Sequence, residues 1–173
     1  VSNSLKKYIS ENILFEDKDL LVFNKPSGLA VHGGSGISMG VIEAFRSLRK
    51  SDDYLELAHR IDKDTSGCLI IAKSRLALSK IGESLQSNQV KKTYVALVKG
   101  HWPKGKSKVN APLKKNTLLS GERIVKVDKL GKRSVTNFEI TEKYENTTLL
   151  KINLETGRTH QIRVHCQFSG MPI

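Results

Sequence analysis

Apolar and polar residues alternate along this chain in two rhythms, and each rhythm predicts an element. Ile13 to Glu16 and Leu20 to Asn24 flank Asp17-Lys18-Asp19, the pattern of two strands and a tight turn. Lys25-Pro26-Ser27-Gly28 then breaks the second strand, and Val31-His32-Gly33-Gly34-Ser35-Gly36 reads as a flexible loop. From Val41 to Lys50, Val41, Ala44, Phe45 and Leu48 fall on one helical face. A second helix is predicted from about Arg75 to Asn88, with Ser74 as N-cap and Leu78, Ile81 and Leu85 as its buried stripe. Leu55 to Ala58 alternates as a half-buried strand does, whereas Cys68 to Ala72 is apolar throughout, as in a strand buried on both faces. Lys92 to Val98 is a strand stopped by Gly100. The pattern weakens from Lys106 to Leu119, where one short strand is expected at Lys108 to Ala111. Ser134 to Tyr144 and Thr147 to Glu155 are long strands joined at Glu145-Asn146, and a helix begins near His160. The whole is an α+β pattern in a single domain over residues 1–173, with Gly105 to Gly131 as a lysine-rich excursion.

Charge changes this picture most. Lys and Arg number 29 against 17 Asp and Glu, a net charge of +12. Such an excess adds self-repulsion and nothing to the fold, so a polyanionic partner is expected, and nucleic acid leads. The basic residues are spread over Lys91-Lys92, Lys104 to Lys108, Lys114-Lys115, Lys129 to Arg133 and Arg158/Arg163, which suits a broad groove better than a basic tail. No run approaches the roughly 18 apolar residues that a spanning helix needs, and no charged-then-apolar signal region precedes the first strand, so a cytoplasmic protein is expected. Cys68 and Cys166 lack partners at metal-ligand spacing and read as reduced structural thiols. The five histidines form no metal pattern, and the glycine-rich loop at 33–36 is neither a phosphate-binding motif nor a hydrolase elbow. Neither a metal nor an organic cofactor is expected.

Three clusters carry candidate chemistry. Nine residues, His59 to Gly67, hold five ionisable side chains between two predicted core strands. A loop so placed exposes side chains while its ends stay rigid. Asp62 is its candidate nucleophile or base and Arg60 a partner. In Lys91-Lys92-Thr93-Tyr94 the strand alternation turns the Tyr94 ring to one face. In Thr156 to His165, Gly157 permits a tight strand-to-helix turn, Arg158 and His160 crowd the helix start, and Arg163 lies three residues beyond His160, near the same face. A carboxylate nucleophile must stay ionised while screened from water, and an adjacent guanidinium favours the charged form and orients it, so Asp62 with Arg163 is a sensible pair. Blander readings stand beside this one: Asp62 as a turn residue, Tyr94 as core, Arg163 as a surface ion-pair partner. A passive RNA-binding module and a hydrolase using Asp62 with His59 or His160 are the competing functions.

His-Arg-Ile-Asp-x-x-Thr-Ser-Gly at 59–67 resembles the His-Arg-Leu-Asp-x-x-Thr-Ser-Gly signature of the RluA family of pseudouridine synthases, with Ile61 in place of the commoner Leu. Asn24-Lys25-Pro26-Ser27-Gly28, Lys92-Thr93-Tyr94-Val95-Ala96 and Thr156-Gly157-Arg158-Thr159-His160-Gln161-Ile162-Arg163-Val164-His165 agree in order. The resemblance covers nearly the whole chain. It implies a mixed, largely antiparallel central sheet flanked by helices and loops. Family members often carry an N-terminal S4-type RNA-binding domain and continue past Gly170-Met171-Pro172-Ile173, so this chain is expected to be the catalytic domain without those parts.

The activity implied is isomerisation of uridine in RNA, ribosomal RNA foremost: the base is detached from C1′, turned and rejoined through C5. Asp62 matches the family's catalytic aspartate, Tyr94 the tyrosine that stacks on the base and assists proton removal at C5, and Arg163 the basic residue paired with the aspartate. Ile162 matches the aliphatic residue near the uracil. Arg60 and His59 join it as substrate contacts, and Lys92, Arg158 and His160 are the expected RNA contacts. A base inside a stack is out of reach of these groups, so a flipped nucleotide is expected.

Overall fold

Period-two alternation sets Leu21 and Phe23 on one face of a strand, and both are fully buried in the computed structural model, which describes residues 3–34, 39–50, 54–87, 89–117 and 123–173. The chain forms two compact units, Val1–Gln89 and Val90–Ile173. All strand pairings among the described residues are antiparallel, and four helices accompany them, an α+β architecture. The expected central sheet is divided into one four-stranded sheet per unit and a separate two-stranded ribbon.

The first unit holds α1 (Asn3–Glu11), β1 (Ile13–Glu16), β2 (Leu20–Lys25), α2 (Val41–Leu48), β3 (Glu56–Leu57), β4 (Gly67–Ala72) and α3 (Arg75–Gln86), with strand order β1-β2-β4-β3. Asp17 sets the hairpin by accepting from the N–H groups of Asp19 and Leu20, both at 2.8 Å. Leu69 and Ile71 of β4 join Leu21, Phe23, Val41 and Phe45 in the core, where Phe23 meets Phe45 edge-on at 5.3 Å. Glu16 binds Arg49 beyond α2 and Lys73 beyond β4, the latter at 2.8 Å. Those two cations hold its carboxyl down at about 2. Ser74 caps α3 by accepting from Ala77 N–H, but Leu78, Ile81 and Leu85 are only half-buried, so the expected stripe is a shallow one; Ala77 is the buried residue of α3. Cys68 is exposed, which removes it from the structural thiols expected from the sequence.

In the second unit, β5 (Lys92–Lys99), β10 (Thr147–Leu154), β9 (Val135–Lys143) and β6 (Lys108–Asn110) form a sheet in that order. Its core gathers Val98, Trp102, Val109, Phe138, Leu150, Ile152 and Cys166, with α4 (Gln161–Phe168) supplying the last. Burial pushes the Cys166 thiol up to about 12, so it is inert. The weakly patterned stretch contains the ribbon of β7 (Leu113–Thr117) and β8 (Arg123–Val127), where Lys114 stands opposite Lys126. Lys114 and Lys115 stand side by side in β7, one on each face, so no apolar alternation announces it. Residues 35–38 and 118–122 lie outside the described residues, and with them part of the loop read from the glycine pattern.

Candidate active site

The loop that carries Asp62 is fixed from both sides. Upstream, Ala58 N–H donates to Ile70 O at 3.0 Å, and His59 Nε2 accepts from Ile70 N–H at 3.1 Å, so the imidazole braces the loop against β4. Ile61 tucks its side chain inward at 8% exposure. Thr65 N–H closes a turn on Asp62 O at 3.1 Å. Downstream, Gly28 N–H donates to Lys63 O at 3.0 Å and Ser27 Oγ to Asp64 O at 2.8 Å. Gly28 takes φ +84°, a left-handed conformation that glycine reaches without steric cost. Asp62 itself is half-buried, while Arg60, Lys63 and Asp64 are exposed.

Beneath the loop lies a side chain that the sequence reading passed over. Lys25 continues the inward alternation of Leu21 and Phe23 and is wholly buried. Its ammonium donates to Pro26 O at 2.8 Å, Leu29 O at 2.7 Å and Lys63 O at 2.8 Å, using all three of its hydrogens. Burial lowers its pKa, opposed by the negative charges of Asp64 and Asp62. The position of Lys25, two residues beyond Phe23, was the available signal; Pro26 hid it by ending the strand.

The other candidates belong to the second unit. On β5, Lys92 and Tyr94 lie on one face and Thr93 on the opposite one, where its hydroxyl donates to Asn153 Oδ1 at 2.8 Å. Tyr94 and Ile162 are both half-buried and pack against the same core cluster. A Cβ on Gly157 would stand 3.9 Å from Lys92 Nζ, which places Lys92 beside the turn into α4. That turn takes a left-handed residue at His160, φ +52°. Arg158 and His160 are exposed, and Arg158 Nε donates to Arg133 O at 3.2 Å. Arg163 is exposed on the first turns of α4. Asp62, Arg60 and His59 therefore sit in one unit, and Tyr94, Lys92, Arg158, His160, Ile162 and Arg163 in the other.

Gln161 organises the turn. Its Oε1 accepts from Arg158 N–H at 3.0 Å and Thr156 Oγ1 at 2.8 Å; its Nε2 donates to Val135 O at 3.0 Å and Thr136 Oγ1 at 2.9 Å. His165, also buried, meets Thr136 Oγ1 at 2.8 Å and Ala111 O at 2.9 Å. The sequence showed both residues only as members of a motif. Among the described residues no three His, Cys, Asp or Glu side chains converge as a metal site requires, and no helix is long and apolar enough to cross a membrane.

Known proteins bear on this arrangement. The family model described as RNA pseudouridylate synthase matches residues 19–168. The chain is 56% identical over 175 aligned positions to ribosomal large subunit pseudouridine synthase C of Pasteurella multocida, covering 100% of this chain and 54% of that protein. Its counterpart in Escherichia coli K12 is 53% identical, with 100% and 55% covered. The chain thus spans about half the length of these relatives. Among solved structures, human RNA pseudouridylate synthase domain containing 4 superposes with a TM-score of 0.81 at 28% identity, over 99% of this chain and 69% of that one. Human RNA pseudouridylate synthase domain containing 1 gives 0.72 at 25% identity, over 93% and 66%.

Proposed function

The chain belongs to the RNA pseudouridylate synthase family, and from that premise we propose that it isomerises uridines in RNA to pseudouridine with Asp62 as nucleophile. The bond from ribose C1′ to N1 of the base breaks, the base turns, and a C1′–C5 bond forms. C5 gives up a proton and N1 gains one, so atoms balance and nothing is oxidised or reduced. The observation that carries the reading is the half-buried Asp62 on a loop whose backbone is fixed by Lys25, Ser27, Gly28 and His59. A nucleophile gains from such a mount, because misplacement by about 1 Å can cost about a hundredfold in rate.

Tyr94 supplies an aromatic face for the uracil and a hydroxyl near C5, Ile162 packs against the base, and Arg163 takes the part of the family's basic active-site residue. Arg60 contacts the displaced RNA structure. His59 serves the substrate first through the loop it braces, since one ring nitrogen is spent on Ile70. Lys92, Arg158 and His160 bind the phosphate backbone, which the net charge of +12 favours throughout. The two units work as one catalytic domain, a reading supported by a family match that runs across both. The names of the relatives point to large-subunit ribosomal RNA as the substrate.

Pseudouridine mapping on RNA from cells lacking the protein tests this directly. Wild type is expected to restore the missing sites, while Asp62→Asn loses more than about a thousandfold in rate yet still binds RNA. Restoration by Asp62→Asn would overturn the assignment.

A further inference from the structure

We infer that Thr136, Gln161 and His165 are positioning residues, a directional hydrogen-bond chain that holds the Arg158–Arg163 turn in its working orientation and ties it to the base of the β7–β8 ribbon. The inference rests on the proposed synthase reading, in which Arg158, Ile162 and Arg163 act on the RNA.

The three side chains are nearly or wholly sealed from solvent, at 0%, 2% and 0% exposure. A buried polar group costs stability unless it is partnered, so what matters is which atoms give hydrogens and which receive them. Ala111 O can only accept, so His165 Nε2 carries a hydrogen and donates to it. Burial lowers the His165 pKa, which keeps the ring neutral and leaves Nδ1 as an acceptor. Thr136 therefore turns its O–H to Nδ1, and its oxygen receives a hydrogen from Gln161 Nε2. The amide of Gln161 is fixed in turn: Oε1 receives Thr156 O–H and Arg158 N–H, and Thr156 Oγ1 receives Val135 N–H. No member can reverse its role without stranding a neighbour.

The two ends of this chain are telling. One end grips the main-chain N–H of Arg158, in the turn where His160 adopts its left-handed conformation just before Ile162 and Arg163. The other ends on Ala111, two residues ahead of β7 and its lysines. Thr136, on β9, is the link between them. A core that needed only filling would be served by apolar side chains of the same volume. A fully assigned polar chain sets direction as well as volume, and direction is what a guanidinium presented to RNA requires.

The test uses the natural full-length protein. Thr136→Val keeps the shape and removes the hydroxyl; Thr136→Ser keeps the hydroxyl. Thr136→Val is expected to slow single-turnover pseudouridine formation on bound RNA by about 10-fold to 100-fold, with RNA affinity little changed, and Thr136→Ser to restore most of the rate. A Thr136→Val protein as fast as wild type would overturn the inference. So would one that loses RNA affinity and rate together, with Thr136→Ser no better. Nitrogen NMR of His165 in the wild type guards against a variant that does not fold. A neutral ring protonated at Nε2 across the neutral pH range is expected, and exchange between tautomers would also overturn the inference. Asp62→Asn, run alongside, separates the two levels. If it stays active the synthase assignment fails; if it is dead while Thr136→Val is unimpaired, only the positioning role fails.

Discussion

The two mounts for candidate chemistry are built on opposite electrostatic plans. In the first unit, a buried ammonium gathers three main-chain carbonyls and so fixes the loop on which Asp62 stands. In the second, the turn before Ile162 and Arg163 is held by an amide, two hydroxyls and a neutral imidazole, with no charge in the series. Each choice suits its cargo. The negative charges of Asp64 and Asp62 favour the charged form of the ammonium beneath their loop, whereas a cation beneath Arg158 and Arg163 would be repelled by them. A charged anchor is also the more demanding one. Once the ammonium is removed, Pro26 O and Leu29 O lose this donor together, and Lys63 O is left with the N–H of Gly28.

That contrast can be broken from either side. The largest effect is expected at Lys25: Lys25→Met should lower stability by about 3 kcal/mol or more, read from the urea midpoint, and Lys25→Arg should not rescue it because the buried site is shaped to a compact ammonium. An unchanged midpoint in Lys25→Met would remove the distinction between the mounts. Next comes Gln161→Leu, which strands Arg158 N–H and the hydroxyl chain and should cost about 2 kcal/mol. Its loss of hydrogen-exchange protection should be concentrated in the second unit. The smallest effect concerns Glu16, a charged anchor nearer the surface. Its carboxyl is held down at about 2, below the ordinary value of 4.5, so its stabilisation is fully present above the ordinary carboxylate range. That contribution falls away as pH drops through the acid region toward 2. With side-chain exposure of 27%, solvent screening limits it to about 1 kcal/mol. Glu16→Gln should flatten that part of the acid-denaturation curve; a curve identical to wild type would show the ion pairs to be idle.

Much of this was open to reading before any coordinates. Strands at residues 13–16, 20–25, 92–99 and the long pair ending at Leu154 announce themselves because apolar-rich runs there are bounded by turn residues. The ribbon did not, since Lys114, Lys115 and Lys126 interrupt the apolar residues of both strands. Nor did α1, whose lysines and glutamate leave only a thin apolar stripe around Ile9. Motif spacing brought Asp62, Tyr94 and Arg163 forward as candidates, because reactive side chains stand out in a sequence. The residues that aim them were hidden for the converse reason. Lys25 and Gln161 are polar types whose usual place is the surface, and only three-dimensional accounting of donors and acceptors shows them buried and fully engaged. The left-handed conformation of His160 was hidden for a simpler cause: glycine is the default choice for it, and nothing in the sequence marks a histidine for that backbone.

Glu43 receives the N–H groups of both Gly33 and Gly40 on a single oxygen, at 3.1 and 2.9 Å. A Cβ on Gly40 would stand 2.5 Å from the His32 main chain. The two feet of that segment are thus specified to the atom, by one carboxylate and by the lack of room for even a methyl group. For protein engineering, Gly40 and Glu43 are the positions to leave untouched: a side chain at the first collides with His32, and losing the carboxylate at the second strands two N–H groups.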